Sequence, residues 1–237
     1  MREIDLNADL GEGCGDDNAL MTIVTSANIA CGAHAGDEAT MRETIRLAQR
    51  NGVAIGAHPS FPDRENFGRI DMQRAPHEIY EDVRSQIETL ATVAREEGAI
   101  LHHVKAHGAL YNLAARDVAV ADAISRAVAD ASTSLIIYGL AGGAQIESAH
   151  AHGLRTAGEG FADRRYEPDG TLVPRSRPNA LINDEEEAVQ QALALAQQER
   201  AQTICLHGDG PHAIAFARRI RDAFARANIT IRASQQG

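Results

Sequence analysis

Short apolar runs, four of them closed by histidine and most leading toward a segment of helical spacing, recur along this chain of 237 residues. The runs over 29–34, 53–58 and 203–207 end on His34, His58 and His207, and a fourth, over 102–107, carries Lys105 and His107. The segments between them read as helices. One opens after Gly36 with Asp37 as N-cap and closes at Gly52; another has Pro76 in its first turn and the stripe Ile79, Val83, Ile87, Leu90 and Ala94. Strand and helix alternate about seven times in this way. Such a pattern implies a parallel sheet with right-handed crossovers, in which loops at the carboxyl ends of the strands gather the site.

The first run decides between an open sheet and a closed one. From Glu3 to Gly11, Ile4, Leu6, Ala8 and Leu10 share one face and Asp5, Asn7 and Asp9 the other. A polar face of this kind suits the inside of a barrel, with Asp9 at its mouth. Asp5, lying deeper, needs an internal partner, for which Lys105 is the candidate. The expected architecture is a single (β/α)7-type barrel over residues 1–237, without linker or second domain.

The formal net charge of -10 argues against nucleic acid as a partner, because phosphate binding wants a basic surface. Cys14, Cys31 and Cys205 form no C-x-x-C pair and are too few for a disulfide framework, which fits a reducing cytoplasm. Cys31 and Cys205 read as small buried core residues. No uncharged run reaches the length of a membrane span, no signal-peptide pattern opens the chain, and a cytoplasmic location is expected. Phosphate loops of the G-x-x-x-x-G-K-[ST] kind, G-x-G-x-x-G turns and a G-x-S-x-G nucleophile elbow are absent.

Asp9, His34, His58 and His107 would converge at the mouth of such a barrel. Imidazoles with a carboxylate suit a divalent metal holding an activated water. The same residues also suit metal-free acid and base catalysis, with Lys105 stabilising an oxyanion. Arg64 and Arg69 follow His58, and Arg164, Arg165, Arg175 and Arg177 populate the irregular stretch 163–178. Guanidinium groups there suit a carboxylate or phosphate on a ligand, or serve solubility alone.

Several motifs occur in order: Asp5-Leu6-Asn7-Ala8-Asp9-Leu10-Gly11-Glu12, Asn28-Ile29-Ala30-Cys31-Gly32-Ala33-His34-Ala35-Gly36-Asp37, Gly56-Ala57-His58-Pro59-Ser60, Phe67-Gly68-Arg69, Lys105-Ala106-His107-Gly108-Ala109-Leu110-Tyr111-Asn112, Glu159-Gly160-Phe161-Ala162-Asp163-Arg164 and His207-Gly208-Asp209. Together, from Asp5 to about Pro211, they closely resemble the LamB/YcsF family. The resemblance implies the A component of a bacterial ATP-dependent 5-oxoprolinase, which opens 5-oxo-L-proline to L-glutamate with partner subunits B and C. It also implies a seven-stranded barrel akin to carbohydrate deacetylases, related members of which hold a metal through one Asp and two His. One departure stands out: Ala106 occupies the place usually held by proline, which loosens the approach to His107.

By position, the catalytic candidates are Asp9, Lys105, His107 and Asp37. The candidates for holding substrate are Asn7, Arg64, Arg69, Glu159 and Asp209, and those for a metal are Asp9, His34, His58 and His107. ATP would be a co-substrate of the complex, bound with the help of the partners. The alternatives are a stand-alone metal-dependent amide or carbohydrate deacetylase and a non-catalytic scaffold protein of the complex.

Overall fold

The computed structural model describes residues 2–14, 16–175, 177–206 and 213–235. Its strands are β1 (Arg2–Leu10), β2 (Ser26–Ala30), β3 (Ala54–His58), β4 (His103–Lys105), β5 (Ile136–Leu140), β6 (Arg155–Phe161) and β7 (Thr203–Leu206). All pair in parallel, each with the next, and β1 joins β7 on one side and β2 on the other. That closes a barrel of seven strands, as the inward polar face of the first run requires. The short β8 (Ile229–Ile231) adds to Arg2–Ile4 of β1, below the registers used by β2 and β7.

The outer layer contains α2 (Glu38–Asn51), α3 (Pro76–Glu96), α5 (Val118–Ala131), α6 (Ala144–Ala151), α7 (Glu185–Gln197) and α8 (Ala213–Arg226). Local chemistry fixes their ends. Asp37 accepts the Thr40 amide to start α2, and Gly52 stops it in the left-handed region at φ 66°. The α3 stripe of Ile79, Val83, Ile87, Leu90 and Ala94 is buried throughout. Truncating a residue such as Leu90 would cost about 2–5 kcal/mol.

Two helices were not foreseen, α1 (Asp17–Met21) and α4 (Gly108–Ala114). Five and seven residues are too few for a periodic signal. Two boundaries also differ from the sequence reading: β2 stops at Ala30 and β4 at Lys105, so His34 and His107 stand in the loops beyond.

The barrel interior is polar and tightly filled. Asp5 is satisfied by the hydroxyls of Thr25 (2.7 Å), Ser26 (2.8 Å) and Thr203 (2.6 Å). Its expected partner Lys105 instead lies higher, beside Asp9, because β4 ends at the mouth. Gly56 makes room for the His103 ring: a Cβ there would lie 2.1 Å from His103 Nε2. None of the three cysteines is in a disulfide, and burial pushes the Cys31 thiol up to about 12. Among the described residues no helix is long and apolar enough to cross a membrane.

Candidate active site

Four ligand-type side chains meet at the carboxyl ends of β1 to β4: Glu12, His34, His58 and His107, whose nearest donor atoms all lie within 4.8 Å of one another. Glu12 Oε1 is 3.1 Å from His34 Nε2, 3.4 Å from His107 Nδ1 and 3.9 Å from His58 Nε2. His107 Nδ1 is 3.0 Å from His58 Nε2. Donors about 2.0–2.1 Å from a tetrahedral ion would stand about 3.3–3.4 Å apart, close to these separations.

The hydrogen bonds on the outer side of each ring fix which nitrogen keeps a lone pair. His58 Nδ1 donates to the Lys105 carbonyl at 2.7 Å, and His107 Nε2 donates to the Phe67 carbonyl at 3.0 Å. The Ser60 hydroxyl donates to the Phe61 carbonyl, so toward His34 Nδ1, at 2.9 Å, it can only accept. In its neutral form each ring therefore turns a bare nitrogen inward, and the two facing nitrogens of His58 and His107 repel unless a proton on His58 or a metal cation lies between them. Burial holds His34 below the ordinary imidazole range, and burial together with its two neighbouring rings holds His107 well below it. Burial would lower His58 too, but the Asp9 carboxylate beside it more than offsets this.

Charge balance points the same way. Lys105 Nζ contacts Glu159 Oε1 at 2.8 Å and Asp9 Oδ1 at 3.0 Å. Burial opposes its charge, yet these carboxylates keep its pKa well above the ordinary value. If ionised, Asp9, Glu12 and Glu159 would exceed this one ammonium by two negative charges among these described groups when His58 is neutral, as a metal ligand must be, and that excess is the complement of a divalent cation. The donor set thus fits a divalent metal ion.

Among the described residues the carboxylate of the cluster is Glu12, where the sequence reading placed Asp9. β1 remains extended through Leu10, so Asp9 Oδ1 is held by Asn28 (2.9 Å) and Lys105, while Oδ2 reaches His58 Nε2 at 3.3 Å. Gly11 and Gly13, at φ 72° and 73°, turn the chain back and bring Glu12 over the rings. The glycines on either side of Glu12 were the available signal in the sequence.

Asp9, Glu12, His58, Lys105, His107 and Arg69 line a cavity of about 1070 Å³, with Tyr111, Phe161 and Arg164 also on its wall. Asn7 and Glu159 are fully buried and lie outside its lining; Asn7 links Lys105 (3.1 Å), Asn28 (2.7 Å) and Glu159 (2.9 Å). They hold the charged wall rather than face a ligand. Arg64 also lies apart, clamping the carbonyls of Gly32 (2.9 Å) and Gly36 (2.8 Å) in the loop that carries His34. Asp37 is exposed and engaged as the α2 cap. His207 and Asp209 lie outside the described residues. Sequence reasoning missed Ser60 and Asn28, whose roles come from side chains distant in the chain.

The LamB/YcsF family model matches residues 4–237. A lactam utilization protein from Thermus thermophilus has a similar structure, with 41% identity and a TM-score of 0.91, covering 98% of this chain and 100% of that one. The polysaccharide deacetylase Bc1974 from Bacillus cereus superposes with a TM-score of 0.58 at 9% identity, over 100% of this chain and 93% of that one. The catalytic domain of a peptidoglycan N-acetylglucosamine deacetylase from Eubacterium rectale gives 0.56 at 12% identity, over 100% and 90%. At such identities the deacetylases establish the shared (β/α)7 barrel fold alone.

Proposed function

Because this chain belongs to the LamB/YcsF family, we propose that it is a hydrolase of a cyclic amide, 5-oxo-L-proline, acting as the A component of an ATP-dependent 5-oxoprolinase. The similarity to a lactam utilization protein supports the substrate class. The observation that carries the reading is Asp9. Its Oδ1 is fixed by Lys105 and Asn28, and its carboxylate lines the cavity next to His58.

A lactam is a resonance-stabilised amide, so opening it takes an activated water, support for the oxyanion and a proton for the departing nitrogen. Asp9 Oδ2 takes the proton from water as the oxygen attacks the carbonyl carbon. The same proton then passes to the ring nitrogen as the C–N bond breaks, which closes the proton balance. Lys105, with its three protons shared among Asn7, Asp9, Glu159 and Cys205, acts through its charge, holding Asp9 and favouring negative charge at the wall. Arg69, on the cavity rim over the Phe67 ring, is placed to meet an anionic substrate. A divalent ion held by Glu12, His34, His58 and His107 would supply Lewis-acid polarisation of water and carbonyl.

The chain has no phosphate-loop motif, so ATP coupling falls to subunits B and C. The test is reconstitution of the three proteins with release of glutamate as the readout. Turnover should need ATP and all three proteins, and Asp9→Asn should abolish it while leaving the melting curve close to wild type. A variant that still turns over would remove Asp9 from the chemistry. A second reading, a stand-alone metal-dependent amide hydrolase, is favoured by the donor cluster being formed within one chain. Turnover by the single protein without ATP would select it. A scaffold role has less support, since a buried charged cluster costs stability and brings a scaffold no benefit.

A further inference from the structure

Outside the histidine cluster, one buried charge on the cavity wall stands apart from its neighbours. Arg164 is only 4% exposed and lines the cavity. Its Nη2 donates to the Val173 carbonyl at 2.7 Å, and its Nε has no partner. Nearby arginines are matched: Arg177 pairs with Glu167 at 2.8 Å, Arg116 with Asp71 at 3.0 Å, and Arg165 with both oxygens of Glu187. Among the described residues no carboxylate forms an ion pair with Arg164. Burial, and then the like charge of Arg175, push its pKa below the ordinary guanidinium value, and the attraction of Asp163 is the weaker influence. Arg175 lines the same cavity.

A guanidinium withdrawn from water without a counter-ion is costly, and a second cation beside it adds to that cost. An oxyanion at Arg164 relieves the cost there, because the planar fork of arginine matches carboxylate and phosphate oxygens. Topology says where such an anion would sit. Arg164 follows β6, and in a ring of seven strands β6 lies across from β2 and β3, whose ends carry His34 and His58. The cavity is roomy enough for a ligand with one end at each side.

We infer that Arg164, backed by Arg175, is an anion seat that takes a carboxylate or phosphate group carried by the substrate, facing the histidine cluster across the barrel mouth. The inference rests on the cavity being the substrate site, but its test reads binding, so a failed turnover experiment does not decide it.

The test is titration calorimetry on the full chain at constant ionic strength, with 5-oxo-L-proline, 2-pyrrolidinone and inorganic phosphate as probes. Arg164→Met should weaken the anionic probe that binds wild type by about tenfold or more, with the melting temperature unchanged or raised. Arg164→Lys should recover part of the affinity. Arg175→Gln, at a half-buried loop position, should weaken the same probe to a lesser degree, and it stands in if Arg164→Met does not fold. Loss confined to 5-oxo-L-proline, with 2-pyrrolidinone unaffected, assigns the seat to a carboxylate; loss of phosphate binding assigns it to phosphate. Equal affinity in wild type, Arg164→Met and Arg175→Gln, or no binding of either anion at millimolar concentration, overturns the inference.

Discussion

At the level of single residues, the hydrogen bonds on the outer edges of three rings decide what their inner edges can do. Ser60, the Lys105 carbonyl and the Phe67 carbonyl each meet the outer nitrogen of one imidazole, leaving three lone pairs around Glu12. Partners of this kind tune a metal site almost as strongly as its ligands. Ser60→Ala should therefore lower divalent-metal affinity about 10–100-fold, and Glu12→Gln should lower it further, as read by competition with a chelator. Affinity unchanged in both variants would mean that this cluster does not bind the ion. Glu12 was legible only in part, since the sequence marks the turn but not where it points. Asp9 was legible as a residue of the mouth, because the alternation of β1 is a local property.

At the level of elements, short strands and close approaches set the site. β4 supplies three residues, and the chain beyond it must turn at once: Gly108 sits at φ 57°, and a Cβ there would lie 2.5 Å from the Gly68 carbonyl. Inside the barrel, Gly56 on β3 yields its side-chain space to the ring of His103, whose Nε2 donates to Asn28 Oδ1 at 2.8 Å. Asn28 in turn donates to Asp9. Gly56→Ala forces that ring aside and should cost about 1–3 kcal/mol of stability, the range for overpacking a filled core, visible as a lower urea midpoint. An unchanged midpoint would show the interior to be looser than described. The amphipathic stripe of α3 and the Asp37 cap of α2 were readable from local spacing, whereas α1 and α4 were too short to announce themselves.

At the level of the whole molecule, stability couples to protons and to metal. Burial raises the Asp5 carboxyl above its ordinary value of 3.8, against the pull of the hydroxyls of Thr203, Thr25 and Ser26. The folded protein thus holds this proton more tightly than the unfolded chain does. Its contribution to stability is complete below the unfolded value and is lost as pH rises through the higher folded one. The melting temperature of wild type minus that of Asp5→Asn should accordingly fall as pH rises above about 4. A flat or rising difference would count against the raised value. Metal acts by mass action. A divalent ion at 100 times its dissociation constant adds about 2.7 kcal/mol, or about 5–10 °C in a chain of this size, reversed by chelation. A melting temperature indifferent to both added metal and chelator would leave the donor cluster without an ion.

The alternation of strand and helix, the polar lining of β1 and the gathering of imidazoles at one end are readable from the residues in order, because periods of 2 and 3.6 are properties of the local chain. It takes the folded barrel to show that Glu12 rather than Asp9 joins the imidazoles, that Lys105 serves Asp9 and Glu159 rather than Asp5, and that Arg164 is buried without an ion pair among the described residues. Those outcomes depend on distances between residues from different strands. Closing seven strands into a ring sets such distances, and no stretch of the chain encodes them alone.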